Sequence, residues 1–151
     1  MVMPKIGEVA PDFVGTTDEN KPLHLSDLRG NVAVLYFYPR ANTPGCTKEA
    51  CSFRDSMIRL VGMGVKVVGV STDPVARQAN FKTKYTLGFP LVADADKAIT
   101  KKYGVLRSIA GMAERVTFLI DRKGVLRHIW PKVNVTGHVD EVIAKIQELK
   151  L

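Results

Sequence analysis

Two mainly apolar segments are the clearest feature in the pattern of hydrophobic and polar positions. Val32 to Tyr38 is apolar on both alternating faces, which is typical of a strand buried in the centre of a sheet, and Val65 to Val70 predicts a second buried strand. Between them, apolar residues recur at helical spacing from Thr47 to Met63, and the pattern ends at Gly62 and Gly64. This half of the chain therefore predicts a strand, a helix and a strand.

A second helix is predicted directly after the second strand. Asp73 followed by Pro74 is typical of an N-cap and the first residue of a helix, and the pattern continues to about Tyr85. A short extended segment at residues 89–93 comes next, before a further helix.

That further helix is predicted to end near Tyr103 and Gly104, with Asp94 or Asp96 as its cap.

The last third of the chain predicts a hairpin and a final helix. Arg115 to Ile120 and Val125 to Trp130 have strand patterns, and the four residues between them form a turn signal. Gly137 to Leu149 carries its apolar residues on one helical stripe.

The order of elements indicates the fold class. Strands that alternate with helices, followed by a hairpin, predict an α/β protein with a central mixed sheet flanked by helices on both faces. This is the thioredoxin-like arrangement, with additional residues before the first core strand and before the hairpin. The sequence shows no repeat, low-complexity segment or linker, so we expect residues 1–151 to form a single domain.

Net charge and composition indicate which partners and which cellular compartment to expect. The net charge is +7, from 22 basic and 15 acidic residues, but the basic residues fall in separate segments, so we expect no specific nucleic-acid partner. No apolar run approaches the ~20 residues of a membrane span, so no membrane association is expected. Two cysteines are too few for a secreted disulfide scaffold, and the N-terminus has no signal-peptide core, which predicts a reducing, cytoplasmic setting.

The two cysteines carry the main functional signal. Cys46 follows the first buried strand and a short loop, and it stands where the next helix begins. Free backbone N–H groups and the positive end of the helix dipole favour a thiolate at such a position. A buried structural cysteine is the alternative, but Pro44 and Gly45 indicate a loop and helix start, so Cys46 is the candidate nucleophile.

Cys51 follows Cys46 at i+5. On one regular helix the two residues differ by about 140° in azimuth and about 7.5 Å in height, which places their Cα atoms roughly 8–9 Å apart. This exceeds the ~7 Å limit for a disulfide, so a Cys46–Cys51 bridge requires the first turns of the helix to unwind. Two interpretations of Cys51 are compatible with this spacing: a helix residue that faces the core, and a resolving thiol in the oxidised protein.

The run from Tyr38 to Cys51 resembles the active-site motif of the peroxiredoxins. Pro39, Thr43 and Cys46 match the pattern Pro-x-x-x-Thr-x-x-Cys, and the position of Cys51 is similar to the bacterioferritin-comigratory-protein type, also called PrxQ. The resemblance covers nearly the whole chain. It includes the segments Gly7–Phe13, Val70–Asp73, Phe89–Leu91 and Phe118–Asp121.

The resemblance implies a function and a role for each matching residue. It implies a thiol-dependent peroxidase that reduces hydrogen peroxide and organic hydroperoxides through a sulfenic acid on Cys46, which Cys51 resolves as an intramolecular disulfide. Thr43 would orient thiolate and peroxide through its hydroxyl, and Pro39 would shield the thiolate. Arg115, at the start of a predicted strand, would stabilise the thiolate and the departing oxygen.

The resemblance also implies partners. We expect peroxide substrates, a thioredoxin or similar thiol reductant, and a monomer or weak homodimer. Two interpretations of Glu49 remain open: a partner for an arginine in the site, or a carboxylate on the helix surface. His24, His128 and His138 lack ligand spacing, so we expect no metal and no cofactor.

Two other functional classes are compatible with the cysteines. A thiol–disulfide oxidoreductase acting on proteins would use the same two thiols, but such enzymes usually carry Cys-x-x-Cys, and four residues separate the thiols here. A copper-handling module would need a positioned histidine or methionine beside both thiols. Peroxide consumption and a metal titration would separate these classes from the peroxidase.

Overall fold

The computed structural model describes residues 2–108 and 110–151, and its helices and strands alternate along most of the chain. In chain order they are β1 (Val14–Thr16), β2 (Pro22–His24), a 3₁₀ turn (Leu25–Leu28), β3 (Val32–Phe37), α1 (Pro44–Asp55), α2 (Met57–Gly62), β4 (Val65–Ser71), α3 (Val75–Tyr85), β5 (Leu91–Ala93), α4 (Ala98–Lys102), β6 (Val116–Ile120), β7 (Leu126–Trp130) and α5 (His138–Glu148). Both buried strands, the hairpin and the final helix were predicted from the sequence, and the structure confirms them.

Five strands form the central sheet in the order β5-β4-β3-β6-β7. β3 lies in the middle, parallel to β4 and antiparallel to β6, and β7 closes the hairpin with β6. The predicted mixed sheet is therefore confirmed. Because β3 and β4 are parallel, their carboxyl ends lie at the same edge, and the loops that follow them are neighbours.

The core lies on both faces of the sheet. Alternate residues of β3 point to opposite sides, so Val34 and Tyr36 pack with Phe53 of α1 on one face, while Leu35 and Phe37 pack into a separate cluster on the other. All six residues of β3 are buried. The central strand is thus held from both sides, and it fixes the loop that leaves its carboxyl end.

The helix predicted from Thr47 to Met63 differs from the observed structure in two ways. It begins earlier, at Pro44, because Thr43 has an extended N-cap conformation and proline suits the first helical position. It is also interrupted at Ser56, whose φ of −100° and ψ of 1° separate α1 from α2. The apolar spacing continues through this interruption, so the pattern did not show it.

The predicted N-cap role of Asp73 is wrong. The N-cap of α3 is Pro74, and the helix begins at Val75. The Asp73 side chain is buried instead, where its Oδ2 accepts hydrogen bonds from the backbone N–H of Ala41 (2.8 Å) and from the hydroxyl of Ser71 (2.6 Å).

The cap of α4 is also displaced from the predicted position. The N-cap residue is Lys97, in a left-handed conformation with φ of 65°. Asp94 and Asp96 nevertheless both supply capping oxygens. The Asp94 carboxylate accepts from the backbone N–H groups of Ile99 (3.1 Å) and Thr100 (2.7 Å), and Asp96 Oδ1 accepts from the N–H of Ala98 (3.1 Å). Within the described ranges, no helix combines the length and apolar character that crossing a membrane requires.

Candidate active site

Cys46 lies in the first turn of α1, at the edge of the sheet where β3 ends. The first hydrogen bond of the helix runs from the N–H of Thr47 to the carbonyl of Thr43, at 2.8 Å. The N–H groups of Gly45 and Cys46 precede this bond and have no hydrogen-bond partner among the described residues. Cys46 is only 1% exposed, so the positive end of the helix dipole acts on a sulfur that is largely shielded from water.

Arg115 joins this thiol to a buried carboxylate. Its Nη2 lies 3.3 Å from the Cys46 Sγ, and its Nη1 donates to Glu49 Oε1 at 2.8 Å. The Glu49 side chain is fully buried, and the Arg115 side chain is 19% exposed. Of the two interpretations of Glu49, the structure supports the arginine partner, because position 49 lies on the inner face of α1.

Within the trio of Cys46, Glu49 and Arg115, the side chains of Glu49 and Arg115 shift each other's pKa in the direction opposite to the effect of burial, and Cys46 acts on the pKa of Arg115 in the same way. Burial raises the pKa of Glu49 to about 7, although the Arg115 guanidinium lowers it. Burial lowers the pKa of Arg115, but Cys46 and Glu49 outweigh that effect, and the net pKa lies above its ordinary value. Arg115 is therefore a permanent positive charge that its two neighbours hold in place.

A buried tyrosine lies beneath the trio. The Tyr36 ring stacks on Phe53 at 4.7 Å and on Tyr38 at 5.4 Å between centroids. Burial raises the pKa of Tyr36 well above its ordinary value, and Tyr38, Glu49 and Cys46 raise it further. The Tyr36 hydroxyl and Glu49 Oε2 are both buried with no hydrogen-bond partner in the described part of the chain. The site thus combines aromatic packing with two buried polar atoms that lack a partner among the described residues.

Pro39 and Thr43 lie in the loop between β3 and α1, as the motif predicts. The Thr43 hydroxyl donates to the carbonyl of Arg40 at 2.8 Å, which leaves its oxygen lone pairs available as acceptors. Pro39 and Arg40 line an open cleft of about 320 Å³, together with residues after β4 and around residue 111. The start of the loop therefore forms part of the wall of this cleft.

Cys51 lies on the same helix as Cys46, as the spacing predicts. α1 is continuous over Pro44–Asp55, and both cysteines are free thiols. Cys51 is partly buried, whereas Cys46 is buried. The structure is therefore the reduced arrangement, in which an intact helix separates the two thiols.

Sequence reasoning missed two contributions to the site. Gly45 allows the close approach of Arg115, since a Cβ at this position would lie 3.1 Å from Nη2. Asp73 contacts the loop between β3 and α1 through the N–H of Ala41. The role of Gly45 becomes visible only when the position of the Arg115 side chain is known. Asp73 was missed because its sequence context predicts a helix N-cap.

The described residues contain no group of three or more histidine, cysteine or acidic side chains placed to hold a metal ion. His138, the buried histidine of α5, has its Nε2 2.8 Å from the hydroxyl of Thr117.

Comparisons with known proteins agree with this geometry. Residues 6–129 match the model of the AhpC/TSA family. A Coxiella burnetii protein provisionally described as a peroxiredoxin bcp is 46% identical over 149 residues, which cover 94% of this chain and 98% of that protein. Peroxiredoxin Bcp of Escherichia coli K12 is 35% identical over 150 residues, covering 95% of this chain and 96% of the relative.

Solved structures give the same result. A mutant of Xylella fastidiosa PrxQ superimposes with a TM-score of 0.92 at 30% identity, covering 100% of this chain and 99% of the other. The Xanthomonas campestris bacterioferritin comigratory protein, solved as intermediate and ligand complexes in relation to its alkyl peroxide reduction activity, has a TM-score of 0.85 at 33% identity, with 90% of each chain covered. The fold is therefore the thioredoxin-like fold expected from the sequence. The chain belongs to the AhpC/TSA family and is a peroxiredoxin of the Bcp or PrxQ type, a thiol-dependent peroxidase.

Proposed function

We propose that Cys46 is the peroxidatic cysteine of this enzyme. Its thiolate attacks one oxygen of a peroxide ROOH, so that an S–O bond forms while the O–O bond breaks. The sulfur is oxidised by two electrons to a sulfenic acid. The departing oxygen takes up a proton and leaves as an alcohol, or as water when the substrate is hydrogen peroxide.

Three groups around the thiol support this role. Arg115 Nη2 is 3.3 Å from the sulfur, where its charge stabilises both the thiolate and the negative charge that develops on the leaving oxygen. The unpaired N–H groups of Gly45 and Cys46 are donors for the same charge. Thr43 offers a hydroxyl that accepts from the peroxide's O–H, and Pro39 shields the thiolate from water.

We propose that Cys51 resolves the sulfenic acid. Its thiol sulfur attacks the Cys46 sulfur, the S–S bond forms and the S–O bond breaks, and the sulfenic oxygen leaves as water. A dithiol reductant of the thioredoxin type then reduces the disulfide by exchange. Because the two residues lie on one helix, the first turns of α1 must unwind before this bond can form.

The proposed substrates are peroxides, and the proposed reductant is a thiol. Peroxiredoxins of this family act on peroxides with thiol reductants; for this chain we propose hydrogen peroxide and organic hydroperoxides, by analogy with the alkyl peroxide reduction of the Xanthomonas campestris relative. We further propose a cytoplasmic enzyme that forms a single domain over residues 1–151, acts as a monomer or weak homodimer, and binds neither nucleic acid nor membrane. The dispersed basic residues support the absence of a specific nucleic-acid site.

The contact between Arg115 and Cys46 is the observation that carries these assignments. Peroxide consumption with a thioredoxin system should be abolished in Cys46→Ser. Cys51→Ser should consume about one equivalent of peroxide and then stop, because its sulfenic acid has no resolving partner.

Two outcomes would overturn the assignments. Turnover by Cys46→Ser would place the peroxidatic thiol elsewhere, and sustained turnover by Cys51→Ser would remove its resolving role. Ser52→Ala is the matched control, since Ser52 is also on α1 and its hydroxyl donates to the carbonyl of Lys48. This variant should turn over like the wild type.

A further inference from the structure

A chain of buried polar side chains lies behind the active-site loop, and the peroxidase chemistry does not use it. The Tyr38 hydroxyl donates to Gln78 Oε1 at 2.6 Å, and Gln78 Nε2 donates to the Ser71 hydroxyl oxygen at 2.9 Å. Ser71 in turn donates to Asp73 Oδ2 at 2.6 Å. All four side chains are buried, at 0% exposure except for Asp73 at 6%.

Asp73 is the member of this chain that contacts the active-site loop. Its Oδ2 accepts from the N–H of Ala41 at 2.8 Å, and its Oδ1 lies 3.8 Å from the Nε of Arg77. Ala41 is itself buried and stands between Pro39 and Thr43 in the loop. A hydrogen bond to a carboxylate is stronger than one to a neutral acceptor, so this contact is a firm attachment point.

This hydrogen-bonded network therefore holds the loop between β3 and α1 at two positions. Tyr38, at the start of the loop, is held by its hydroxyl through Gln78 and by its N–H, which donates to the carbonyl of Val70 at 3.0 Å. Ala41, in the middle, is held by Asp73. Both attachments lead to β4 and α3, and neither uses α1.

We infer that Asp73 is a positioning residue for peroxide reduction, which holds the segment Pro39–Thr43 against the carboxyl end of β4. Through this segment it sets where the Thr43 hydroxyl and the Pro39 ring meet the peroxide. Because neither attachment involves α1, the segment Pro39–Thr43 keeps its conformation when α1 unwinds to form the disulfide. When the disulfide is reduced and α1 re-forms, Cys46 returns to a site whose loop has not moved. The inference rests on the proposed role of Cys46.

A contribution to the free energy of unfolding does not by itself explain this buried hydrogen-bonded network. A buried hydrogen-bonded network contributes little net stability compared with apolar side chains of similar size, but it selects one geometry. Asp73 also lines the same cleft as Pro39 and Arg40. Asp73 therefore lines the cleft and also holds the loop beside it through the N–H of Ala41.

The test compares Asp73→Ala with Asp73→Asn. The asparagine oxygen can still accept from the N–H of Ala41, whereas alanine cannot. We expect Asp73→Ala to lose between about tenfold and a hundredfold in kcat/KM for hydrogen peroxide, since misplacement by an ångström has effects of that size. Asp73→Asn should recover most of this loss.

Two further measurements separate positioning from folding. The alkylation rate of Cys46 by iodoacetamide should change less than about threefold in Asp73→Ala, because the groups that favour the thiolate are Arg115 and the helix start. Asp94→Ala is the matched control: this buried carboxylate holds the start of α4, so its removal should lower the Tm while leaving kcat/KM unchanged.

The inference would be overturned by wild-type kcat/KM in Asp73→Ala, or by equal losses in the peroxide and alkylation rates. It would also be overturned if Asp73→Asn were as impaired as Asp73→Ala. These outcomes leave the proposed function intact as long as Cys46→Ser is inactive in the same assay. Turnover by Cys46→Ser would instead remove the proposed function first.

Discussion

The Nη2 nitrogen of Arg115 lies 3.3 Å from the sulfur of Cys46. The same guanidinium uses Nη1 to bind the buried Glu49 at 2.8 Å. A planar group with several fixed donors can make both contacts at once, whereas an ammonium is a single point charge. The geometry of the site therefore depends on the shape of the cation as well as on its charge.

Arg115→Lys should reduce kcat/KM for peroxide on the order of a hundredfold, the size of effect seen when one donor to a developing oxyanion is removed. The lysine keeps the charge but cannot bridge Glu49 and Cys46 together. Stopped-flow peroxide reduction measures the rate directly. Arg127→Lys is the control, since Arg127 pairs with Asp121 on the hairpin; an unchanged rate in Arg115→Lys would remove Arg115 from the site.

Glu49→Gln should alter the pH dependence of stability. The pKa of Glu49 is raised to about 7 in the folded protein from an ordinary 4.5, so the folded state binds the proton more tightly than the unfolded state. The stability from this group is therefore fully present below about pH 4.5 and is lost as pH rises through about 7, a change of about 3 kcal/mol. Denaturant unfolding from pH 4.5 to 8 measures it.

In Glu49→Gln this loss should be absent, so the variant should gain stability relative to the wild type as the pH rises. Glu19→Gln, on the exposed carboxylate that pairs with Lys21, is the control for the removal of a surface charge. Parallel curves for Glu49→Gln and the wild type would show that Glu49 titrates alike in both states.

Gly45→Ala should separate activity from stability. The added Cβ would lie 3.1 Å from Arg115 Nη2, so the guanidinium must shift by a few tenths of an ångström. We expect a several-fold fall in kcat/KM, while the Tm is kept or raised because alanine favours a helix over glycine by roughly 1 kcal/mol. Gly62→Ala, where a Cβ meets nothing within 4 Å, should leave the rate unchanged. A fall in both Tm and rate for Gly45→Ala would point to misfolding instead.

Oxidation should weaken α1. Cys46 and Cys51 cannot bond while the helix is intact, so amide exchange over residues 44–55 should be faster in the disulfide form than in the reduced form. Hydrogen exchange with mass spectrometry measures this. Helix α4, whose buried Ile99 packs on the opposite face of the sheet, is the internal reference and should keep its protection. Equal protection of α1 in both redox states would contradict the unwinding.

The strands and the motif could be predicted because each has a strong local cause. Val32–Phe37 is buried on both faces, and an apolar run shows this directly. The position of Cys46 at a helix start could be predicted because Pro44 and Gly45 precede it in the sequence, and Cys46 lies in the first turn of α1. In both cases the information lies within a few neighbouring residues.

Long-range partners could not be predicted in the same way. Glu49 has no sequence feature that distinguishes a buried carboxylate from an exposed one, and its partner lies 66 positions away. Asp73 precedes a proline at a helix start, so its local sequence favoured a cap, while the observed partner is the N–H of Ala41, 32 positions away. Tertiary contacts overrode local preference at both positions.

The interruption at Ser56 divides α1 from α2, which limits how far the unwinding that accompanies disulfide formation would extend. α1 is a twelve-residue helix that ends before Ser56, and α2, which packs against β4 through the buried Leu60, begins after it. Helix formation is cooperative along a continuous run, so loss of one turn weakens its neighbours. With the run divided here, the proposed Cys46–Cys51 disulfide would unwind the segment that carries both thiols and leave α2 and the sheet folded.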